Sequence, residues 1–433
     1  MNADMNRILV TVLALLASSA ALAGVRIEHW TAPSGARVYF VETRSIPIID
    51  VQVDFAAGSA FDPPGKSGLA GLTRGLLDAG AGALDEEQIA SRLVDTGARL
   101  GGSLESDRAG MSLRTLSAKP EREAALELFR TVLTQPRFPE AVFDREKGRA
   151  IAGIKEAETR PDAIAGKRFA AALYPGHPYG RVSTVESVAS LTRDDVAAFH
   201  RERYSAARAV VSVIGDLDRQ EAERIAQYLT ENLPAGRTND DLPPVELPRA
   251  EVLRVPHPAT QAQIHLGLPA VKRLDPDWYA LLVGNYVLGG GGFVSRLMKE
   301  VREKRGYAYS VYSYFQPRRL EGPFEIGLQT KRDQAGAALK VVEETLAGFL
   351  AEGPTAEELR AAQRNLVDGF ALRLDSNAKI LGYLSAIGFY GLPLSYLDDF
   401  PRRIEAVTAR DVRAAFARHV KRENMVTVIV AGD

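Results

Sequence analysis

The chain has 433 residues, enough for two to four domains and a large buried core. Hydrophobic residues make up 46% of it and charged residues 25%, an ordinary composition for a globular protein. With 54 basic and 55 acidic side chains the formal net charge is -1, so the chain lacks the basic excess that a general binder of nucleic acids or acidic membranes needs.

The first predicted element is a secretory signal over residues 1–23. Arg7 precedes an apolar run, Ile8 to Ala17, and the sequence Ala21-Leu22-Ala23 is typical of a cleavage site. The run is short for a bilayer span, which disfavours the alternative of an uncleaved membrane anchor. The chain has no cysteine, which suits an oxidising compartment and excludes a lipoprotein. We therefore expect export to the periplasm, with no membrane span after cleavage.

Strands lead each half of the remaining chain, helices follow, and a strand closes the half. In the strand near residue 50, Val51, Val53 and Phe55 alternate with polar residues, the period of a half-exposed strand. Antiparallel strands combined with long helices predict an α+β fold, in which each half is a sandwich of one antiparallel-type sheet and one helical layer.

The two halves are predicted to be copies of one domain. Thr192 opens "TRDDVAAFHRERYSAARAVVSVIGD", and Thr408 opens the similar stretch "TARDVRAAFARHVKRENMVTVIVAGD". Each stretch reads as a capped helix followed by a Val-rich strand that ends at Gly-Asp. A Pro- and Gly-rich linker, 233–249, is predicted between the domains, which occupy 24–232 and 250–433. The repeat is too long for a solenoid and indicates a duplicated domain.

An unusual helix is predicted over residues 67–82, "SGLAGLTRGLLDAGAG". Its apolar residues have helical spacing, but Gly71, Arg74 and Gly75 share one face. Each interior glycine destabilises a helix by roughly 1 kcal/mol relative to alanine, so this face needs an explanation.

Four stretches resemble the pitrilysin/insulinase-type zinc metallopeptidases, the inverzincin group, and the resemblance covers residues 26–433. They are "SGLAGLTRGLL", "DREKGRAIAGIKEAETRPD", "HPYGRVSTVESVASLTRDDVAAFHRERY" and "NYVLGGGGFVSRLMKEVREKRGYAYSV". The resemblance implies an active site shared by two facing halves of a clam-like enzyme. One half carries the zinc helix and the other carries a substrate-holding Arg/Tyr pair.

The resemblance also explains the unusual helix. The family motif H-x-x-E-H provides two zinc ligands and a general base, and here these positions are Gly71, Arg74 and Gly75. The third ligand, a glutamate in the family, corresponds to Gly153. Glycine has no ligand atom, and an arginine brings positive charge to the place of the cation. We expect a vacated zinc site and no metal bound by this chain.

The sequence offers no replacement ligand set. The histidines are not spaced as metal ligands of one helix or strand, and His265 alternates in a strand as a sheet-face residue would. Glu146 matches a family carboxylate near the third ligand, but it reads as part of a solvated helix face. The histidines of the chain are His29, His177, His200, His257, His265 and His419.

The second half is predicted to keep the Arg/Tyr pair, as Arg302 and Tyr309. They lie seven residues apart across a helix-to-strand turn, the family spacing, and such a pair can donate hydrogen bonds to a peptide carbonyl and to a developing oxyanion. The alternative is structural, since an arginine near a helix C-terminus offsets the macrodipole and tyrosines are common in strands.

The elements around that pair are predicted from the same stretch. Phe293, Leu297 and Val301 are expected to form the buried stripe of the helix, with Gly306 as its C-cap and an aromatic strand after it. The glycine run 289–292 lacks the Lys-Ser/Thr of a phosphate loop and the acidic partner of a dinucleotide fold, so no nucleotide is expected.

Together these features predict a periplasmic, non-catalytic, substrate-binding subunit of a two-chain zinc peptidase that cleaves peptides or unfolded polypeptides. Arg302 and Tyr309 would serve the active site of a homologous partner that carries H-x-x-E-H and binds the zinc, in a heterodimer or larger assembly.

Two other classes remain open. A stand-alone peptide-binding or holdase protein would use an exposed strand edge, which the family offers within residues 97–113. There Gly101, Gly102 and Ser103 are the candidate peptide contacts, and the Gly-Gly pair departs from the usual Asn-Ala of the family. The second class is a purely structural subunit, which would have no use for an intact Arg/Tyr pair.

Overall fold

A computed structural model describes residues 25–236 and 241–432, so the predicted secretory signal lies outside the described residues. The strands of the first half are β1 Glu28–Thr31, β2 Arg37–Glu42, β3 Ile48–Phe55, β4 Gly80–Ala81, β5 Leu84–Asp85, β6 Arg99–Leu104, β7 Ala109–Leu116 and β8 Val210–Gly215. Its helices are α1 Leu69–Gly75, α2 Glu86–Asp95, α3 Lys119–Thr134, α4 Glu140–Ala157, α5 Pro161–Leu173, α6 Val185–Ala189, α7 Arg193–Arg203 and α8 Arg219–Thr230.

The second half repeats this order of elements. Its strands are β9 Glu251–Pro256, β10 Gln261–Val271, β11 Ala308–Phe315, β12 Gly322–Lys331 and β13 Val426–Ala431. Its helices are α9 Trp278–Asn285, α10 Ala335–Glu352, α11 Ala356–Asp368, α12 Asn377–Tyr390, α13 Tyr396–Glu405 and α14 Ala409–His419, with π-helical turns at Tyr286–Gly290 and Met298–Glu303.

Each half contributes its own sheet, and the two sheets share one topology. The first has the order β1-β2-β8-β3-β7-β6, and the second, read from its other end, has the order β9-β13-β10-β12-β11. In both, one parallel pair (β2 with β8, β9 with β13) is followed by antiparallel neighbours. Strand β1 is an addition to the first sheet. The predicted α+β duplication is confirmed.

The repeated closing segments have the predicted structure. Thr192 and Thr408 are N-caps of α7 and α14, and each forms a capping box with the aspartate three residues later, Asp195 or Asp411. The Val-rich strands that follow, β8 and β13, lie inside their sheets and are almost entirely buried.

The two halves exchange one helix each. Helix α5 of the first half packs on β10 and β13 of the second sheet, while α12 of the second half packs on β8, β3 and β2 of the first. The second contact is very close, because a Cβ placed on Gly388 would lie 2.6 Å from Val210 Cγ1 and 2.7 Å from the ring of Tyr39. Each sheet is therefore covered on one face by a helix from the other half.

The exchanged helix α12 also changes the environment of β3. Asp50 and Asp54 are buried, so the prediction of a half-exposed strand is wrong at these positions. Ser385 of α12 donates a 2.6 Å hydrogen bond to Asp54 Oδ2, and the Arg108 guanidinium bonds the same serine hydroxyl. Burial raises the pKa of Asp54, while the charge of Arg108 acts in the opposite direction. A polar network thus joins the two halves beneath the helix.

The stretch between the sheets has no regular secondary structure over residues 241–250 and is mostly exposed. His177 Nε2 lies 2.9 Å from the Pro243 carbonyl, and Asn424 donates to the Pro248 carbonyl at 2.7 Å, which ties this stretch to both halves. The exact boundaries of the linker, 233–249, stay a prediction. Among the described residues no helix combines the length and apolar character needed to cross a membrane.

Candidate functional site

Helix α1, in which the family resemblance predicts a vacated zinc motif, is held at its N-terminus by Asp62. The two carboxylate oxygens of Asp62 accept hydrogen bonds from the backbone N–H groups of Ala70 at 2.7 Å and Gly68 at 2.8 Å. Gly68 has φ = +105°, a conformation that favours glycine. Burial raises the pKa of Asp62 to about 6, against the lowering effect of these backbone donors. The helix is thereby fixed against α7 and the strand β6.

The glycines of the vacated motif are not required by packing. A Cβ on Gly75 or on Gly153 would meet no atom within 4 Å outside its own helix backbone. A Cβ on Gly71 would meet only the flexible end of Leu104, at 3.3 Å. A Cβ would fit at all of these positions. An open cleft of about 510 Å³ lies between α1 and α4. The cleft is lined by Gly68, Gly71, Leu72, Gly75, Glu146, Arg149, Ala150, Ile154, Ser183 and Val188.

The residues of this cleft do not fit a zinc ion. A protein zinc site needs three or four nitrogen, sulfur or oxygen ligands, and the cleft offers the carboxylate of Glu146 alone. That carboxylate already accepts hydrogen bonds of 2.7 Å from Arg145 Nε and from Arg149 Nη1. The additional positive charge of Arg74 makes a divalent cation still less favourable.

One other group could be considered for a metal within 25–236 and 241–432: Asp275, Asp277 and His419. Arg418 donates hydrogen bonds of 2.7 Å to both carboxylate oxygens of Asp277, and His419 Nε2 lies 3.0 Å from one of them. The hydrogen bond from Arg418 lowers the pKa of Asp277. The guanidinium supplies the positive charge, so the group is an ion-pair network. Sequence spacing could not reveal it, because His419 is far from the two aspartates in the chain.

Arg74 lies across the edge strand β6. A Cβ placed on Gly102 would overlap the Arg74 guanidinium, so glycine is needed at 102 for this arginine to lie where it does. Within the described chain the Arg74 side chain forms no hydrogen bond or ion pair, and its Nε is buried. The neighbouring Tyr204 is fully buried, and burial raises the pKa of its hydroxyl, while the charge of Arg74 acts in the opposite direction. The position of the Arg74 guanidinium therefore depends on glycine at position 102.

The structure places Gly101, Gly102 and Ser103 on β6, the last strand of the first sheet. One side of β6 pairs with β7, where Gly101 is opposite Ser112 and Gly102 is opposite Met111. Its other side has no partner strand among the described residues. An extended peptide could add to this edge by backbone hydrogen bonds.

Arg302 and Tyr309 come together in the second half. The guanidinium carbon of Arg302 lies 4.8 Å from the centre of the Tyr309 ring and 4.9 Å from the centre of the Phe293 ring. Tyr309 is 83% exposed, and neither its hydroxyl nor the Arg302 guanidinium has a hydrogen-bond partner in the described parts of the chain. Both groups are free to bind a ligand.

The backbone between the two residues explains their proximity. The π-helical turn that carries Arg302 ends at Glu303 with Lys304 as its C-cap, so the predicted C-cap at Gly306 is wrong by two residues. Gly306 follows with φ = +65°, and its N–H donates to the Arg302 carbonyl at 2.9 Å. Strand β11 then begins with a bulge between Ala308 and Val311, and the two residues within the bulge, Tyr309 and Ser310, are both exposed. The bulge lies on the outermost strand of the second sheet.

Phe293 corrects the predicted buried stripe. Leu297 and Val301 are buried as expected, but Phe293 is 65% exposed because a short 3₁₀ segment, Gly292–Val294, interrupts the helix. Helical periodicity could not predict that the Phe293 ring lies close to the Arg302 guanidinium. The glycine run before it is a packed connection, since a Cβ on Gly289 would lie 2.5 Å from the Ser313 nitrogen.

Two family profiles match the chain. Residues 37–184 match the profile described as Insulinase (Peptidase family M16), and residues 190–366 match the profile described as Peptidase M16 inactive domain. A peptidase M16 inactive domain from Pseudomonas fluorescens, known from its crystal structure, is 38% identical with a TM-score of 0.91 and aligns over 94% of this chain and 98% of its own.

More distant relatives carry different descriptions. The non-peptidase homolog YmxG of Helicobacter pylori is 24% identical over 398 residues, 91% of either chain. An uncharacterized zinc protease of Streptomyces coelicolor is 27% identical over 415 residues, 93% of this chain and 89% of its own. The periplasmic protease PqqL of Escherichia coli shares the fold, with a TM-score of 0.80 at 15% identity, and the match spans 46% of its length.

Proposed function

This chain belongs to the peptidase M16 (insulinase) family, and we propose that it is a non-catalytic, substrate-binding subunit of a two-chain zinc peptidase in the periplasm. In this proposal the two halves of the chain differ in role. The first half lacks the ligands that would bind a metal and lacks a general base, while the second half has the Arg/Tyr pair that would hold a peptide carbonyl.

The observation that carries the proposal is the free Arg302/Tyr309 pair. The Arg302 guanidinium lies over the Tyr309 ring, the donors of the pair have no hydrogen-bond partner in the described chain, and Tyr309 is exposed at a bulge of β11. Two donors arranged in this way suit a peptide carbonyl oxygen, whose negative charge grows when a nucleophile attacks the carbon. A purely structural subunit would gain nothing from an exposed pair of this kind.

The missing parts would come from a partner. A homologous chain with H-x-x-E-H would bind zinc and provide the general base, so that this chain holds and orients the peptide from the facing side. The relative described as a non-peptidase homolog supports the non-catalytic role. The signal-like residues 1–23 and the periplasmic location of PqqL support the compartment.

A reconstitution experiment tests the proposal. The mature chain would be mixed with each exported homologue that carries H-x-x-E-H in the same genome, and cleavage of an unstructured fluorogenic peptide would be followed. We expect no cleavage by this chain alone and chelator-sensitive cleavage by one mixture, well above that of the partner alone. A partner whose motif glutamate is replaced by glutamine is the control. Equal rates for the partner alone and the mixture would refute the proposal.

The unpaired edge of β6 favours a second candidate, a stand-alone peptide-binding protein. In that case unfolded peptides would bind without a partner, and the chain would delay the aggregation of a denatured protein. Aggregation measured by light scattering, with and without the chain, separates this function from the first.

A further inference from the structure

The Arg74 side chain of α1 lies beside Gly102 of the edge strand β6, at a position where β6 has no side chain of its own. We propose that Arg74 and β6 form a recognition site for an acidic side chain, Asp or Glu, of an extended peptide that pairs with this edge. The site lies in the first half, at the vacated motif, and it goes beyond the proposed role of Arg302 and Tyr309 because it needs no partner chain.

The geometry places the positive charge of Arg74 beside Gly102 on strand β6. The Arg74 guanidinium occupies the space into which a side chain of residue 102 would point, as shown by its overlap with a Cβ built on Gly102. The strand therefore presents a guanidinium at this point, although its own residue is glycine. Residues of β6 continue on both sides of Gly102, so a paired peptide would cross this position in its interior.

The charge of Arg74 is uncompensated, unlike that of nearby arginines. Arg145 and Arg149 are paired with Glu146, and Arg114 is paired with Asp50. For Arg74 the described residues provide no carboxylate partner and no hydrogen bond. A half-buried guanidinium without a partner favours an anionic ligand, and its planar donors suit a carboxylate.

If a peptide strand is added to β6, the residue directly opposite Gly102 would place its side chain close to the Arg74 guanidinium. Directly opposed side chains of paired strands have Cβ atoms about 5 Å apart, and pairs of opposite charge stabilise the pairing. The peptide backbone would use the free edge of β6, and the adjoining cleft beside Gly71 leaves space for a longer side chain. An interior acidic residue thus fits better than a chain terminus.

Peptide binding to the mature chain alone tests the inference. The probes are fluorescein-labelled, C-terminally amidated Ser/Thr/Val peptides of about ten residues with a central Glu, Gln or Lys, a length that covers an ordinary strand. Fluorescence anisotropy should show binding of the Glu peptide about fivefold tighter than the Gln peptide, and weaker binding of the Lys peptide. Equal affinity for the three peptides, or no binding, would overturn the inference.

Variants assign the effect to Arg74. Arg74→Gln should remove the preference for Glu and leave the affinity for the Gln peptide unchanged, and Gly102→Ala should do the same by displacing the guanidinium. Arg360→Gln, an exposed position on α11, is the matched control for net charge and should keep the preference. If Arg74→Gln keeps the preference, or if only a Gln peptide with a free C-terminal carboxylate binds tightly, the assignment is wrong.

The outcome is independent of the two-chain proposal. Arg302→Gln should not alter this binding, because Arg302 lies in the second half, on the π-helical turn before β11. Cleavage by a reconstituted pair can therefore fail while the Glu preference persists, and the reverse result is equally distinguishable.

Discussion

Tyr309 is exposed at the bulge after Ala308, where two residues of β11 face one residue of β12. Ala308 and Val311 on either side are buried, so the bulge leaves two successive side chains exposed without loss of the core. The Arg302 guanidinium lies over the exposed ring and also within cation–π distance of the Phe293 ring. These contacts hold the guanidinium beside Tyr309.

Tyr309→Phe tests the tyrosine hydroxyl. The substitution removes one donor and almost no packing, so the melting temperature should not change. In a reconstituted pair kcat should fall by about 10²-fold, with a smaller change in KM, if the hydroxyl stabilises the oxyanion. Tyr312→Phe, on the same strand, is the control and should cleave peptide at the wild-type rate. An unchanged kcat for Tyr309→Phe would make this tyrosine a strand aromatic without a catalytic part.

His200 gives a pH-dependent contribution to stability. Its imidazole is buried, its Nε2 lies 3.1 Å from the Leu133 carbonyl, and burial lowers its pKa to about 4. In the unfolded chain the pKa is near 6.5, so the unfolded state binds the proton first as the pH falls. The stability that His200 contributes is therefore present above about pH 6.5 and is lost between that value and pH 4.

His200→Phe keeps the ring against Tyr204 and removes the titration. The free energy of unfolding of the wild type should fall by about 2 kcal/mol more than that of the variant between pH 7 and pH 5. Urea unfolding at the two pH values measures this difference. Parallel pH profiles for the two proteins would show that His200 does not titrate as a buried neutral group.

At the scale of the element, α1 is the helix in which the family resemblance predicts a vacated zinc motif. Its N-terminus is capped by Asp62, and a Cβ at Gly71, Gly75 or Gly153 would have space. The backbone therefore leaves room for a Cβ at the three glycines where the resemblance predicts zinc ligands. On that prediction, the chain differs from a zinc-binding relative at four positions, with Arg74 in the place of the general base.

Restoring the ligands tests that view. The triple variant Gly71→His, Arg74→Glu, Gly75→His should fold but bind zinc weakly, because the third ligand is still missing at Gly153. Adding Gly153→Glu should tighten zinc binding at least about tenfold, as measured by competition with a chromogenic chelator. The unmodified chain is the baseline. Equal affinities for the triple and quadruple variants would mean that α4 does not place residue 153 near the motif.

Local sequence predicted the elements that local interactions determine. The capping boxes of Thr192 and Thr408, and the Val-rich strands after them, appear where they were expected. Predictions failed where distant contacts decide the outcome. Asp50 and Asp54 were expected to face water, but α12 of the other half packs on β3 and both side chains are buried. Phe293 was placed in a buried stripe by helical periodicity, which the 3₁₀ segment interrupts.

The candidate site could be assembled from the sequence only through the family resemblance. The spacing of Arg302 and Tyr309 predicted a pair, and the structure brings them together, but the role of the pair stays a prediction. The contact of Arg74 with Gly102 could not be predicted, because it joins a helix to a strand across the fold. Such contacts have no local pattern.

For the whole molecule, the exchange of α5 and α12 makes the two halves depend on each other. Each sheet loses the cover of one face if the other half unfolds, and the buried network of Asp54, Arg108 and Ser385 loses its serine. We therefore expect cooperative unfolding of the described fold, in contrast to two domains on a flexible tether.

The two tryptophans report on this, since Trp30 lies in the first half and Trp278 in the second. Trp278→Phe and Trp30→Phe each leave one fluorescent reporter. Urea unfolding of the two single-tryptophan proteins, each compared with its own circular dichroism curve, should give coincident midpoints for both probes. A fluorescence midpoint that departs from the circular dichroism curve in either protein would show that the halves unfold separately.

The exchange of α5 and α12 also indicates how two separate half-chains could associate. Topologically the molecule is a domain-swapped dimer whose two copies are now covalently joined, since each copy lends the equivalent helix to the other. The linker contributes a high effective concentration and none of the helix-to-sheet contacts themselves. A chain cut between the two copies should remain a tight complex, and halves produced from separate genes should find each other by the same exchange.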